Sequence, residues 1–259
     1  MGLNSNQKDS IKRVIINCLH TKFQSYKPES NNMPFHYRLL GKDRMALYSF
    51  IQSLNTTFGT SVFEPVAVSL ARYNFKKVEK QFEIGNQINS NCQMIIQNIM
   101  NNLTLGKSPD KQNETKLIRQ SISSGKINKM KTVKVDLYLE NYNNEIFLID
   151  LKTAKPNISN FKDFKRTLLE WIGIYLTTNP TAKVNSLITI PYNPYEPQPY
   201  ERWTIKGMLG DKHELMVGKE FWDFLGGQDA YEDLLDCFEK AGLILRPEID
   251  QYFSTFSNF

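Results

Sequence analysis

The sequence predicts one domain of the α/β or α+β class, in which helices precede and follow a central group of strands. Apolar residues recur at helical spacing before residue 105 and again after residue 160. Residues 133–151 and 184–190 instead have the patterns of strands. Hydrophobic residues make up 41% of the 259-residue chain, enough for a packed core, and we find no internal repeat and no long linker.

Helices dominate the first part of the chain. The first is predicted over residues 8–24, where six apolar residues fall at helical spacing: Ile11, Val14, Ile15, Cys18, Leu19 and Phe23. Three more helices are predicted, near residues 45–54, near 63–70 and over 86–103. Residues 56–61 and 106–113 have the composition of loops.

A pair of antiparallel strands is predicted at the centre of the chain. Apolar residues alternate with polar ones over the first strand: Val133, Val135, Leu137 and Leu139. Asp136 lies on the other face of that strand, and residues 140–144 supply the turn. In the returning strand, Asp150 and Lys152 are two positions apart and share a face. A hairpin centred near Asn143 places Asp136 opposite Asp150.

Further elements follow the hairpin. A helix is predicted near residues 161–177 and a buried strand near 184–190. Residues 191–200 contain four of the chain's 11 prolines and are not expected to form regular structure. Two late helices are predicted, near 219–225 and 229–241, the second ended by Gly242.

The charge and the cysteines narrow the class of protein. Lys and Arg number 32 against 27 Asp and Glu, a net charge of +5 that permits nucleic-acid binding without requiring it. The cysteines and histidines lack the spacing of disulfide frameworks or metal ligands. No apolar run approaches the roughly 18 residues of a membrane helix, and the first residues do not resemble a signal peptide. We therefore expect a reduced, cytoplasmic protein with no membrane association.

The hairpin brings together the groups that a metal-dependent phosphodiesterase needs. Asp136 and Asp150 can hold Mg²⁺, to which the backbone carbonyl of Leu151 points in this geometry. The ammonium of Lys152 can orient a water molecule and stabilise developing negative charge. The alternative is that these are ordinary surface charges on a hairpin. An Asp directly after the apolar run Phe147-Leu148-Ile149 is a costly place for an idle charge, which favours a site.

Glu64 is a candidate for a third catalytic carboxylate. The alternative is a capping box in which Ser61 is the N-cap and Glu64 lies three residues on. Pro65 weakens that alternative, because a residue before proline is biased away from the helical region.

Two segments have residues suited to DNA. Cationic and amide side chains follow the predicted site, and we expect them to contact the DNA backbone: Lys155, Asn157, Lys162, Lys165 and Arg166. The alternative is a solvated helix face. The proline-rich segment carries groups that can contact base edges or phosphates: Tyr192, Asn193, Tyr195 and Arg202. Its alternative is a rigid surface loop that packs its own tyrosines.

Taken together, several segments resemble the TdeIII-type family of type II restriction endonucleases, within the PD-(D/E)xK nuclease superfamily. They span about residues 59–225: Gly59–Glu64, Asp136 with Leu148–Asn157, Phe164–Trp171, Asn193–Pro197 and Gly218–Trp222. The pair Lys134-Val135 precedes Asp136 where the superfamily motif has proline, a common departure.

The resemblance implies a restriction-endonuclease-like core, with a mixed central sheet flanked by helices. It implies a Mg²⁺-dependent hydrolase that cuts both strands of DNA at a short palindrome, expected to be like GGNCC, and leaves 5′-phosphate ends. Asp136, Asp150 and Lys152 match the catalytic trio of the superfamily. A palindromic target implies a homodimer, and a restriction-modification system implies a cognate DNA methyltransferase as genetic partner.

Residues 1–259 are expected to form a single endonuclease domain. We expect a helical N-terminal part over about 1–105, a catalytic core over about 59–190 and a C-terminal part of helices and loops over about 191–259. The alternatives are a structure-specific repair or recombination nuclease, a non-catalytic DNA-binding module and a protein-interaction domain. Intact catalytic positions argue against the binding module, and the charges between 152 and 166 against the interaction domain.

Overall fold

The computed structural model describes residues 2–25, 33–152, 161–200, 208–210 and 214–254. Its helices, in chain order, are α1 Ser5–Ser25, α2 Pro34–Leu40, α3 Lys42–Thr57, α4 Glu64–Ala71, α5 Ser90–Thr104, α6 Lys111–Ser121, α7 Phe161–Thr178, α8 Lys219–Gly226 and α9 Ala230–Ser254. Its strands are β1 Lys77–Asn89, β2 Ile127–Glu140, β3 Glu145–Leu151, β4 Lys183–Ile190 and β5 Leu215–Val217. No helix within these ranges is long and apolar enough to cross a membrane.

The strands form one mixed sheet in the order β1–β2–β3–β4–β5. The pairs β1–β2 and β2–β3 are antiparallel, whereas β3–β4 and β4–β5 are parallel. Parallel neighbours need a crossover, and α7 lies between β3 and β4 in the chain. The α/β class and the mixed sheet flanked by helices are therefore confirmed.

Helices cover both faces of the sheet. One core joins α5, α6 and α7 to the sheet through residues such as Ile96, Ile118 and Leu168. The other core joins α1, α4, α8 and α9 to the opposite face through Ile11, Leu70 and Trp222. Alternation along β3 serves both cores, since Leu148 belongs to the first and Ile149 to the second. Burial on both faces explains the continuous apolar run in β3.

Strand β1 corrects the prediction of a purely helical N-terminal part. Residues 77–89 form the long antiparallel partner of β2, so that residues 86–89, assigned above to a helix, belong to a strand. Apolar residues do fall on alternate positions here, at Val78, Phe82, Ile84 and Ile88. The polar residues between them obscured the period, and pairing with β2 decides the structure.

Three predicted ends and loops are also wrong. Residues 58–63 continue α3 as a π-helical segment instead of forming a loop. Helix α6 begins at Lys111, inside the predicted loop, because the side chain of Asp110 caps it by accepting from the Asn113 amide. Helix α9 runs through Gly242, since Ala241 and Leu245 are buried on either side of it, and this burial outweighs the cost of about 1 kcal/mol for a helical glycine.

Four charged side chains are buried together between α6, α7 and the segment before β5. Lys165 Nζ lies 2.5 Å from Glu114 Oε2 and 2.7 Å from Glu214 Oε2. Lys111 Nζ lies 3.2 Å from Glu214 Oε1 and donates to Ser186 Oγ in β4 at 2.7 Å. We call Lys111, Glu114, Lys165 and Glu214 the buried quartet. The two positive and two negative charges of the quartet cancel, and buried ions must be paired in this way to offset the cost of removing them from water.

The electrostatics of the quartet follow from this balance. Burial tends to raise the pKa of Glu214, but Lys111 and Lys165 beside it bring the pKa below its usual range. Burial also lowers the pKa of Lys111, more than Glu214 raises it. The quartet is therefore a structural tie that joins α6, α7, β4 and the approach to β5.

We predict that Lys165→Ala destabilises the protein by about 3–5 kcal/mol, because it leaves Glu114 and Glu214 buried without their common partner. Urea unfolding followed by circular dichroism measures this free energy. The matched control is Lys162→Ala on the same helix, where the lysine is exposed and unfolding should hardly change. Equal effects of the two substitutions would contradict a structural role for the quartet.

Candidate active site

The β2–β3 hairpin fixes the position of two carboxylates. Leu137 pairs with Ile149, and the same register places Asp136 opposite Asp150. The turn sets this register, since Asn141 Oδ1 accepts hydrogen bonds from the amides of Asn143 and Glu145 at 2.9 Å each. The hairpin predicted from the sequence therefore forms as expected.

Backbone and side-chain contacts hold the ends of the two strands together. The amide of Leu151 donates to Asp136 Oδ2 at 2.9 Å. Lys152 Nζ lies 2.8 Å from Asp150 Oδ1, and the Lys152 amide donates to the Thr189 carbonyl in β4 at 2.9 Å. The structure thus brings Asp136, Asp150 and Lys152 to one edge of the sheet.

The aromatic ring of Phe164 in α7 helps to place the lysine. Lys152 Nζ lies 5.1 Å from the ring centroid, within the range of a cation–π contact. The side chain of Lys152 keeps 31% of its surface exposed, whereas the side chain of Asp150 keeps 9%. An ammonium open to solvent beside a buried carboxylate is placed to meet an incoming phosphate or water.

Glu64 joins this group through Gln81. Gln81 Nε2 donates to Glu64 Oε2 and to Asp136 Oδ1, each at 3.2 Å. Glu64 is buried at the first residue of α4, while Ser61 lies in the π-helical segment and Phe63 is the residue at the N-cap. The capping-box alternative is therefore excluded. Glu64 is linked to Asp136 through hydrogen bonds that both accept from the Gln81 amide.

Burial and like charges make this site costly for ionised carboxylates. Burial, partly offset by Lys152 and reinforced by Asp136, raises the pKa of Asp150 to about 7. Burial also raises the pKa of Glu64. The hydrogen bond from Gln81 lowers this pKa, and the charge of Asp136 raises it further. A group of acids held in this way favours the binding of a cation.

The donor set suits a hard divalent cation. Within the described ranges, no group of three or more His, Cys, Asp or Glu side chains is placed to hold a metal ion. Mg²⁺ commonly binds through one or two carboxylates and keeps several waters. Asp136 and Asp150 supply that minimum on adjacent strands, so the residues present fit such an ion.

One predicted DNA contact is wrong. Lys165 was expected on the polar side of α7, but it is fully buried in the quartet. The physical reason is that Glu114 and Glu214, both distant in sequence, pack against the inner face of α7. A buried lysine at that position can form ion pairs with both. Lys162 on the same helix is exposed, and Arg166 donates to Gln97 Oε1 at 2.9 Å.

The proline-rich segment is irregular, as predicted, and presents part of the expected surface. Tyr192 and Tyr195 are exposed. Asn193 is half-buried and braces the loop, because its side chain donates to the Gln198 carbonyl at 2.7 Å and accepts from the Tyr195 amide at 3.0 Å. The remaining predicted contacts lie outside the described residues: Lys155, Asn157 and Arg202.

Sequence reasoning missed Gln81 as a member of the site. Its neighbourhood depends on the pairing of β1 with β2, in which Lys80 faces Leu137 and Phe82 faces Val135. The signal that could have identified Gln81 is the alternation of apolar residues in β1. It predicts a strand, and an antiparallel pairing of that strand with β2 would place one of its side chains opposite Asp136.

The comparison with known proteins gives one family. The model of the family described as "Type II restriction endonuclease, HinfI" matches residues 3–242 of this chain. The chain is 27% identical over 290 residues to the type II restriction enzyme MjaII of Methanocaldococcus jannaschii, covering all of this chain and 76% of that protein. It is 24% identical over 220 residues to the type II restriction enzyme HgiCII of Herpetosiphon aurantiacus, covering 83% and 80%.

We predict a pH-dependent effect of Asp150→Asn on stability. The pKa near 7 in the folded protein exceeds the 3.8 of an unperturbed aspartate, so folding favours the protonated form. The stability that this provides is complete below 3.8 and is lost as the pH rises through 7. Asparagine has no proton to lose. Asp150→Asn should therefore raise the thermal midpoint, relative to the unchanged protein, more at pH 8 than at pH 5.

Thermal unfolding in EDTA at the two pH values measures this difference, with the exposed Asp163→Asn as control. Ca²⁺ added at pH 8 should raise the midpoint of the unchanged protein and of the control but not of Asp150→Asn. The same effect of Asp150→Asn at pH 5 and pH 8 would count against the perturbed carboxyl.

Proposed function

Because this chain belongs to the HinfI family of type II restriction endonucleases, we propose that it hydrolyses both strands of DNA at a short palindrome with Mg²⁺ as cofactor. Family membership makes it a site-specific deoxyribonuclease, and such enzymes act on double-stranded DNA within restriction-modification systems. The family generally uses a divalent metal. The expected type II restriction endonuclease is thus confirmed, although the matching family is described as HinfI rather than TdeIII-type.

The observation that carries the proposed chemistry is the convergence of Asp136, Asp150 and Lys152. The two carboxylates would hold the ion. Leu151 would add its carbonyl, since the amide of the same residue faces Asp136 and the two groups of a strand residue point to the same side. The bound ion would acidify a water molecule and act as a Lewis acid at the phosphate.

The protein side chains supply the other requirements. The ammonium of Lys152 lies 2.8 Å from Asp150 Oδ1 on a partly exposed side chain, and it would hold the attacking water and counter the charge that develops on the phosphate. Glu64 shares the Gln81 amide with Asp136 and would accept a hydrogen bond from a water of the ion. Water attack in this manner would leave a 5′-phosphate and a 3′-hydroxyl.

The DNA contacts that we propose come from two elements next to this edge, helix α7 and the loop that follows β4. Lys162 and Arg166 project from the first turns of α7, which follows the catalytic strand, and would contact phosphates. The exposed Tyr192 and Tyr195, on the loop that Asn193 braces, would contact base edges. Lys155, Asn157 and Arg202 stay predictions. The resemblance stated above suggests a target like GGNCC.

The proposed assembly follows from a palindromic target. Two copies related by a two-fold axis would each cut one strand. We keep the expectation of one endonuclease domain over residues 1–259, which is supported by the packing of α1 against α9 and by the ion pair of Lys8 with Asp233 at 2.5 Å. A cognate DNA methyltransferase would protect the host DNA, and the reaction would take place in the cytoplasm.

We predict that the purified protein cuts unmethylated phage DNA into discrete fragments in Mg²⁺ buffer and not in EDTA. Asp150→Ala should lower the single-turnover rate by more than about a thousandfold, and Lys152→Ala by about 10²–10³-fold. Sequencing of the fragment ends gives the target and the cut position. Asp163→Ala, which alters an exposed acid outside the site, is the control.

The other outcomes separate the alternatives. Cleavage of branched or damaged DNA without discrete sites in paired DNA would favour a repair or recombination nuclease. Tight binding of DNA in Ca²⁺, with no cleavage by the unchanged protein in Mg²⁺, would favour a binding module. Neither binding nor cleavage would refute the proposed function.

We predict a salt-dependent role for the exposed cation of α7. Lys162→Ala should weaken DNA binding in Ca²⁺ and reduce the slope of log K against log salt by about one, because one phosphate contact is lost. Fluorescence anisotropy at several salt concentrations measures the slope. Lys116→Ala on α6 is a control of the same type. An unchanged slope for Lys162→Ala would contradict a phosphate contact.

A further inference from the structure

The amide of Gln81 joins two acidic side chains from different elements. Its nitrogen donates to Glu64 of α4 and to Asp136 of β2. A primary amide carries two N–H donors, so that one group can satisfy both carboxylates at once. Because both oxygens lie 3.2 Å from the same nitrogen, the amide sets the spacing between them.

The backbone of Gln81 is held in an uncommon conformation. Among the described residues, three that are not glycine have positive φ: Gln81 at 51°, Asn144 at 56° and Asp229 at 67°. Asn and Asp are the types that adopt this region most readily, and glutamine is not among them. Gln81 also lies inside a strand rather than in a turn. Strain of this kind is typical of functional sites.

The packing of β1 explains why the backbone at residue 81 has positive φ, but it does not explain why this residue is a glutamine. Val78 packs with one core and Phe82 with the other, although an even spacing normally keeps residues on one face. The left-handed residue between them allows this switch. Glycine would adopt the same φ without strain. A glutamine here therefore has a further consequence, which is the pair of hydrogen bonds to Glu64 and Asp136.

We propose that Gln81 is a positioning residue of the active site, whose amide holds Glu64 and Asp136 at the spacing that a divalent cation and its bound waters require. This inference rests on the proposed metal-dependent nuclease. Two carboxylates this close repel each other before an ion arrives. The amide offsets part of this repulsion by donating to both carboxylates, holds the two close together and remains exposed to the solvent from which the ion enters.

The test compares Gln81→Leu and Gln81→Gly with the unchanged protein. Leucine keeps the size of the side chain and glycine removes the backbone strain, but both lose the amide. We expect the affinity for Ca²⁺, measured by isothermal titration calorimetry, to fall about tenfold in both variants. The Mg²⁺ concentration for half-maximal cleavage should rise similarly, and excess Mg²⁺ should restore most of the rate. The control is Gln87→Leu, further along the same strand.

Thermal unfolding in EDTA separates positioning from simple support of the strand. Gln81→Gly should unfold at or above the temperature of Gln81→Leu, because glycine accepts positive φ. Loss of rate that excess Mg²⁺ does not restore, or Ca²⁺ affinities equal to that of Gln87→Leu, would overturn the proposal.

Failure of the proposed function looks different. It would appear as no cleavage by the unchanged protein. If that protein still binds Ca²⁺, the effect of the Gln81 variants on affinity decides this inference by itself. If it binds no Ca²⁺ at all, both proposals are refuted.

Discussion

The register of the β2–β3 hairpin is the constraint on which the rest of the site depends. A shift by one residue would turn Asp136 to the opposite face and separate it from Asp150. Two features prevent such a shift: the turn closed by Asn141 and the hydrogen bond from the Leu151 amide to Asp136. The convergence of the two carboxylates at this edge is therefore a consequence of strand pairing, and α4, β1 and α7 add further side chains beside them.

Buried charges are neutralised in one part of the molecule and left incompletely neutralised in another. In the quartet, two lysines and two glutamates neutralise one another, and the result ties helices to the sheet. At the edge of β2 and β3, Asp150 and Glu64 are buried with too little positive charge, and burial raises the pKa of each. The first arrangement fixes its four side chains in place, because removing any one of them would leave an uncompensated buried charge. The second costs stability in the absence of a cation, which is typical of a site that binds one.

The two lysines of α7 show how far sequence reasoning reaches. Lys162 and Lys165 lie one turn apart or less and have the same chemistry, and both were predicted to meet DNA. Their environments differ because Glu214, whose backbone pairs with β4, and Glu114 of α6 both form ion pairs with Lys165. Neither acid is near Lys165 in sequence. A helical pattern shows which residues share a face, but it does not show what packs against that face.

The sequence by itself determined the hairpin, the helices with clear apolar periodicity and the trio of Asp136, Asp150 and Lys152. These depend on contacts between residues close in the chain, where period and turn chemistry suffice. Only the tertiary structure decided the strand character of β1, the continuation of α9 through Gly242, the burial of Lys165 and the position of Gln81 between Glu64 and Asp136. Each of these depends on partners distant in sequence, whose packing and charge outweigh local preference.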